Sequence, residues 1–499
     1  MNTFKEKIQN ILSFENFIKA AFALLILFIP MQYRYHKWVK PLAKLLAKEG
    51  AALPLYFEKM VFYCISDVLI LFIIIAILFR RGMLWKESFW GGRAKYLSLF
   101  FLISFTSLLL SKNSDYFLQY FRLGQLFWVG LLFFLISSGV LIKESKKAIQ
   151  AFFALFCASS LFQCFVAIYQ YFTQHALGLK KLGEMNLGSP NLVPSSLMMH
   201  DGSLWLFDHV FFPGQAKVLA RAYGTLPDPN ILGGVLCVAI LGLFYFFLKA
   251  RRPYQKALLS LAIAVECFSL FITYSRSAYF GLIIGSAVFM GLEMMQLFQK
   301  KGSDEFLVKK KGLEHLFFVV TASVSLSFLL LYPQILARGG YVNYKNTAAQ
   351  GADEERKVYQ NVAIDTIKDN ILTGVGYNNY VLEMKEYSKE KLPEEFSHPV
   401  HNIFLLIASE TGILGLISFC AFVFGCGLSL LKKGSSSEKN ILLSAYLVLG
   451  FIACCSHYLL TWQQGKLMLF IILGLMALHA KKERKTYSLL SEDVSEVTI

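Results

Sequence analysis

The chain has 499 residues, of which 56% are hydrophobic and only 16% charged, with a formal net charge of +16. A soluble protein carries about 25% charged residues, so this balance excludes a soluble globular chain. The 15% aromatic content excludes a disordered or collagen-like one. The apolar residues fall in blocks of roughly 18–25, the length that crosses a hydrocarbon core of about 30 Å, which defines an all-α integral membrane protein.

Twelve apolar segments are predicted, at 17–32, 61–79, 96–110, 117–142, 149–173, 229–248, 257–273, 278–298, 314–332, 402–431, 440–460 and 466–480. Lys5 and Lys7 precede the first segment, as they would a signal peptide, but no small-x-small cleavage site follows it, so it counts as a span. The tenth is too long to cross upright. It is expected to tilt, or to begin as a helix outside the membrane.

Orientation follows from the basic residues. With the N-terminus inside, the inner segments carry 26 Lys and Arg in 88 residues, against 20 in 167 for the outer ones. Both termini are therefore expected in the cytoplasm, and the positive charge serves topology rather than nucleic acid. The expected organisation is spans one to nine over 1–332 with an outer loop at 174–228, a large outer loop at 333–401, spans ten to twelve over 402–480, and a tail at 481–499. All nine cysteines fall inside predicted spans, where no oxidising compartment pairs them. No Cys/His spacing suggests zinc or haem, and no cofactor is expected.

The two long outer loops carry most of the polar chemistry. The first includes the apolar clusters Leu204-Trp-Leu-Phe and Val210-Phe-Phe-Pro. The second has a helical stretch near 354–369, where Val358, Val362, Ile364, Ile367 and Ile371 roughly follow helical spacing, with Glu355, Lys357, Asp365 and Lys368 on other faces. That pattern suits an amphipathic helix on the outer membrane surface.

Four constellations stand out. Arg221-Ala-Tyr-Gly-Thr-Leu-Pro-Asp-Pro-Asn230 precedes the sixth span; Asp228 or Asn230 suits the helix cap, and Arg221 beside a helix N-terminus suits phosphate, although an ordinary loop-to-helix entry has the same composition. Thr273-Tyr274-Ser-Arg276 joins two spans with almost no loop, so Arg276 either snorkels to the interface or binds an oxyanion there. Arg356 is followed by Thr373-Gly374-Val-Gly376-Tyr-Asn-Asn-Tyr, whose glycines read as a structural reversal in preference to a phosphate loop. His398-Pro-Val-His401-Asn402 opens the tenth span, with Glu410 behind it, two and a half helical turns from His401. A histidine at that interface can accept a proton near neutral pH. Asp67, Arg122, Glu266 and Glu410 sit inside predicted spans and need partners, the simplest being Arg122 with an acid.

Taken together, the Arg221-x-x-Gly-Thr-x-x-x-Pro-Asn230 entry, the Ser275-Arg-Ser-Ala turn, and the large penultimate loop ending in His401-Asn402 and Glu410-x-Gly412 resemble the O-antigen ligase and polymerase superfamily over about 220–420. One departure is Phe280, where the family's ligases often carry Leu. The resemblance implies a GT-C-type glycosyltransferase of the bacterial inner membrane. Such an enzyme moves a glycan from undecaprenyl diphosphate to an acceptor on the periplasmic face without a metal ion. It implies His401, Arg276 and Arg221 as catalytic residues. Asn402, Tyr274, Asn230, Arg356, His398 and Glu410 are the substrate-binding candidates. The acceptor expected is the core sugar of lipid A; a growing glycan, as in a polymerase, or a protein side chain are the alternatives. A lipid-linked glycan transporter is the rival of another class. Transporters of this size show two similar halves and midplane polar sites on broken helices, whereas these polar clusters sit at the outer interface.

Overall fold

The computed structural model describes residues 14–31, 34–35, 63–80, 93–112, 116–184, 196–198, 218–299, 304–338, 348–388 and 398–495. They fold into helices α1 (Phe14–Leu27), α2 (Ile65–Arg80), α3 (Ala94–Leu109), α4 (Tyr116–Ser138), α5 (Ser145–Thr173), α6 (Pro229–Lys249), α7 (Pro253–Phe271) and α8 (Arg276–Phe298). These are followed by α9 (Asp304–Arg338), α10 (Ala348–Asp369), the one-turn α11 (Tyr380–Glu383), α12 (Ile403–Leu431), α13 (Ser437–Cys455), the one-turn α14 (Tyr458–Thr461) and α15 (Gln463–Ser495). Two short antiparallel ribbons pair Arg34–Tyr35 with Tyr63–Cys64 and Ser196–Met198 with Val218–Ala220. The Leu204–Phe207 and Val210–Pro213 clusters lie outside the described residues, as does most of the first outer loop.

Among the described residues nine helices are long and apolar enough to cross a membrane, and three shorter apolar helices lie at Asn16–Leu27, Ile65–Ile77 and Ala94–Leu109. The twelve fall in the order of the predicted segments, and the protein is an all-α integral membrane protein. The bundle is built around α6, apolar on every face and packed against α5, α7, α8 and α13. A second buried axis is α15, which packs against α4, α12 and α13. By contrast α8 and α9 leave Phe280, Ile283, Phe317 and Phe318 exposed, the surface that lipid chains cover.

Ionic pairs close one end of the bundle. Lys249 meets Glu438 at 2.6 Å, and Lys309 meets the buried Glu293 at 2.9 Å. His479 lies between Ser145 (3.3 Å) and Ser436 (3.4 Å). These residues come from or beside the segments expected to share the inner side, and they do share one end. The opposite end, called the junction end below, carries the Arg221, Arg276 and His401 segments.

The overlong tenth span is two helices. At Gly412 the backbone leaves the helical region (φ 69°, ψ −175°), a conformation essentially reserved for glycine. Residues 413–431 then form a run of about 28 Å at 1.5 Å per residue, while 403–411 form a separate short helix. A break of this kind strands backbone groups that must find partners, and the loop after α10 supplies them. Ile413 donates its amide to the Ile371 carbonyl (2.8 Å), Val375 to Ser409 (2.9 Å) and Gly376 to Glu410 (2.9 Å). From α3, Ser107 Oγ bonds the carbonyls of Thr373 (2.5 Å) and Glu410 (2.7 Å). A Cβ on Gly374 would strike the backbone of Glu410, and one on Gly412 that of Leu372. The glycine pair is therefore a docking loop for the break.

Two span boundaries differ from the sequence reading. The eleventh ends at Cys455, so 456–462 form a separate link, and the last helix runs from Gln463 to Ser495 without a boundary at 480.

Gly412→Ala is expected to destabilise the protein by at least about 1–3 kcal/mol. Gly450→Ala, with open space around it, serves as the control. Equal thermal midpoints for the two in detergent would show that the break does not require glycine.

Candidate active site

Arg221 is buried at the junction end, 2% exposed, and ties the two candidate junctions together. Its Nε donates to the Thr273 carbonyl at 2.7 Å and its Nη2 to Asn230 Oδ1 at 3.1 Å. The neighbouring Ala222 amide donates to the Ile272 carbonyl at 3.1 Å. Asp228, not Asn230, caps α6, accepting from the Asn230 amide. Each of the two residues that suited the cap thus has its own task. Burial pulls the Arg221 proton affinity down, Asp228 pulls it back up, and Arg356 pushes it down again. Arg221 and Arg356 therefore share one electrostatic neighbourhood although 135 residues separate them in sequence. Arg276, half-buried, begins α8 three residues after the Thr273 carbonyl that Arg221 binds. Tyr274 between them is buried with φ +50°, and its hydroxyl donates to that of Tyr171 at 3.3 Å.

Two glutamines set the shape of the Arg221 loop. Gln170 Oε1 accepts from the amides of Tyr223 (3.1 Å) and Gly224 (2.8 Å), and its Nε2 donates to the Gly224 carbonyl (2.8 Å). Gln163 Oε1 accepts from the Thr225 amide at 2.7 Å. They stand seven apart on α5, two turns along one face. That spacing of amides in an apolar helix was the available sequence signal, and a reading centred on charge missed it.

The histidine segment is placed by α10, which packs across the start of α12. Tyr359, Val362 and Ala363 meet Val400, Leu406 and Tyr380 in a small second core. Tyr359 Oη accepts from the His398 amide (3.3 Å), and Tyr380 Oη donates to the Tyr359 carbonyl (2.8 Å). Arg356, one turn before Tyr359, lies on the same helix face. Asn402 caps α12, accepting from Phe404 and Leu405, and its Nδ2 donates to the Cys454 carbonyl at 3.2 Å. Its amide therefore fixes the ring-bearing segment to α13.

His401 stands between aromatic neighbours, with the Tyr359 ring centroid at 6.3 Å and that of His457 at 5.1 Å. Its Nδ1 is buried and has no hydrogen-bond partner among the described residues. Burial, reinforced by the positive charge of Arg356 and by His398, pushes its pKa from 6.5 down to about 3. The same causes, with His401 added, hold the buried His457 well below its ordinary value. His457 escaped the sequence reading because it was counted inside the eleventh span.

Glu410 lies deeper. It and Arg122, Asn378 and Thr461 line two adjoining cavities of about 20 and 30 Å³, each with room for water. Arg122 donates to Gln125 at 3.4 Å, and Gln125 donates to Asp67 at 2.9 Å, so a glutamine links Arg122 to one of the acids. Asp67 also accepts from Gln463 at 2.6 Å. Among the described residues no three His, Cys, Asp or Glu side chains converge as a metal would need.

Gln170→Leu is expected to strand the Tyr223 and Gly224 amides and to cost about 2–6 kcal/mol, at 1–3 per orphaned group. A thermal midpoint within a degree of the parent would show that Gln170 does not hold the loop.

Comparison with curated proteins returns no match. Residues 259–420 match the model of a family described as O-antigen ligase. The match covers Arg276, Arg356, His398, His401 and Glu410, with Arg221 and His457 on either side of it. It supports the chain as an O-antigen ligase superfamily member, an O-antigen ligase/polymerase-type membrane enzyme.

Proposed function

We propose that the protein transfers a glycan from undecaprenyl diphosphate to the core sugar of lipid A at the periplasmic face of the bacterial inner membrane, with both termini in the cytoplasm and without a metal ion. The observation that carries this reading is the gathering of Arg221, Arg356 and His401 at one end of the bundle, beside Arg276 at the start of α8. Lipid diphosphates are dianionic leaving groups, and guanidinium forks match their oxygens. A periplasmic junction end would place these arginines at the depth of a polyprenyl headgroup.

In the reaction the acceptor hydroxyl oxygen attacks the anomeric carbon of the donor sugar. The hydroxyl proton passes to His401, and the bond from the anomeric carbon to the phosphate oxygen breaks with its electron pair going to the diphosphate. Arg276 and Arg221 stabilise that developing charge, and Arg356 stands on the histidine side of it. Asn230 and Tyr274 hold the arginine junction in shape. Asn402 holds the histidine segment, His398 flanks it, and Glu410 anchors the break beneath it.

In the resting protein His401 is a weak base, because Arg356 and burial disfavour its charged form. A bound diphosphate opposes Arg356 and raises the proton affinity of His401 when the donor is in place. Proton transfer is thereby coupled to occupancy.

Purified protein given undecaprenyl-diphosphate-linked glycan is expected to glycosylate a lipid A core in the presence of EDTA. Glycan or peptide acceptors are expected to be poorer. His401→Ala is expected to lower kcat by about 10²–10⁴, and Arg276→Lys to fall with it. Transfer at parental rates in both variants, or loss in EDTA, would overturn the mechanism.

The pH dependence has a defined sign. Because His401 is held at about 3, it stays neutral as pH falls, and kcat/KM should lack an acid limb near pH 6.5. Removing the positive neighbour by Arg356→Gln raises the His401 pKa and moves the limb upward. A limb near 6.5 in the parent, unmoved by Arg356→Gln, would refute this account.

A further inference from the structure

His401 has an unusual support for a catalytic base. A general-base histidine is ordinarily oriented by a group that accepts its second ring N–H, yet His401 Nδ1 is buried with no hydrogen-bond partner among the described residues. What touches the ring is aromatic. Tyr359 lies tilted by 35° on α10, and His457 meets it at 5.1 Å with the planes at 80°, an edge-to-face contact. His457 is itself fixed: its Nδ1 pairs with Thr461 Oγ1 at 2.7 Å, and that hydroxyl lies 3.3 Å from the His457 carbonyl. The pair straddles the one-turn α14, whose Tyr458, Leu459 and Leu460 are buried and which packs against α15. With Asn402 tied to the Cys454 carbonyl, the link after α13 grips the His401 segment at two points, one on the backbone and one on the ring.

We propose that His457 is a positioning residue for the transfer reaction, setting the plane of the His401 imidazole by edge-to-face contact while Thr461 locks its own rotation. This rests on the reading of His401 as the base. The contact is one of ring shape, so it needs an aromatic edge and not a second titrating group. Among the described residues the other charged or titratable groups facing His401 are Arg356 and Tyr359 on α10 and His398 before α12, and Arg356 and His398 act on His457 as well.

The test compares His401→Ala, His457→Ala and His457→Phe in full-length purified protein, with undecaprenyl-diphosphate-linked glycan as donor. A misaligned base costs on the order of 10²-fold. His457→Ala is therefore expected to lower kcat by about 10–100-fold with the donor KM within about threefold of the parent. His457→Phe, which keeps the edge and loses the nitrogens, should recover kcat to within about threefold. A His457→Ala enzyme with parental kcat, or a His457→Phe enzyme as slow as His457→Ala, would overturn the inference. If His401→Ala also keeps parental kcat, the reading of His401 as base fails instead. Where His457→Ala does not accumulate as folded protein, His457→Leu, which keeps bulk and loses the aromatic edge, takes its place: a fall in kcat with an unchanged donor KM supports the role, and an unchanged kcat removes it.

Discussion

A helix cannot break at membrane depth unless its stranded backbone groups find partners inside the protein, and much of this architecture follows from one such break. At Gly412 the chain uncouples a short helix from a membrane-crossing one. The groups left over are met by the amides and carbonyls of 371–376 and by the hydroxyl of Ser107. Three distant parts of the sequence are thereby bound into one unit: α3, the loop following α10, and both halves of α12. The His401 segment belongs to the part above the break, so its position is set by α10 and the link after α13 as much as by the span below.

The charged residues divide by the same geometry. At one end, Lys249 with Glu438 and Lys309 with Glu293 are compensated pairs. At the junction end Arg356 pushes on Arg221, His401 and His457 alike. Concentrating like charges there is costly. It is the arrangement that suits a ligand of opposite charge.

The apolar helices were legible because apolar length is a strong signal at any position: twelve appear in order among the described residues, nine of them long enough to cross a membrane. The arginine and histidine junctions were legible because ionisable residues beside apolar runs need a reason. What the sequence hid was relational. Gly374 and Gly376 read as a reversal and Gly412 as part of the tenth span, but their mutual docking depends on contacts between segments that share no local pattern. Gln163 and Gln170 carry no charge and sit inside an apolar helix, so nothing marked them until the Arg221 loop was seen folded onto them. His457 was absorbed into a hydrophobic window whose true end is Cys455. A window average reports where a helix is long enough, not where it stops.

The guanidinium of Arg221 carries five N–H donors, and among the described residues two hydrogen bonds engage it, to Thr273 and Asn230. Those bonds are to a main-chain carbonyl and a side-chain amide, both neutral, so they orient the fork without cancelling its charge. Under the proposed function, an incoming oxyanion would meet a cation whose direction is already fixed, with no side-chain entropy to lose on contact. A lysine in its place has one rotating ammonium, and using it to hold the Thr273 junction would leave little for the ligand. The same atom group thus braces two loops while keeping its charge, and only a planar, many-donor cation can do both.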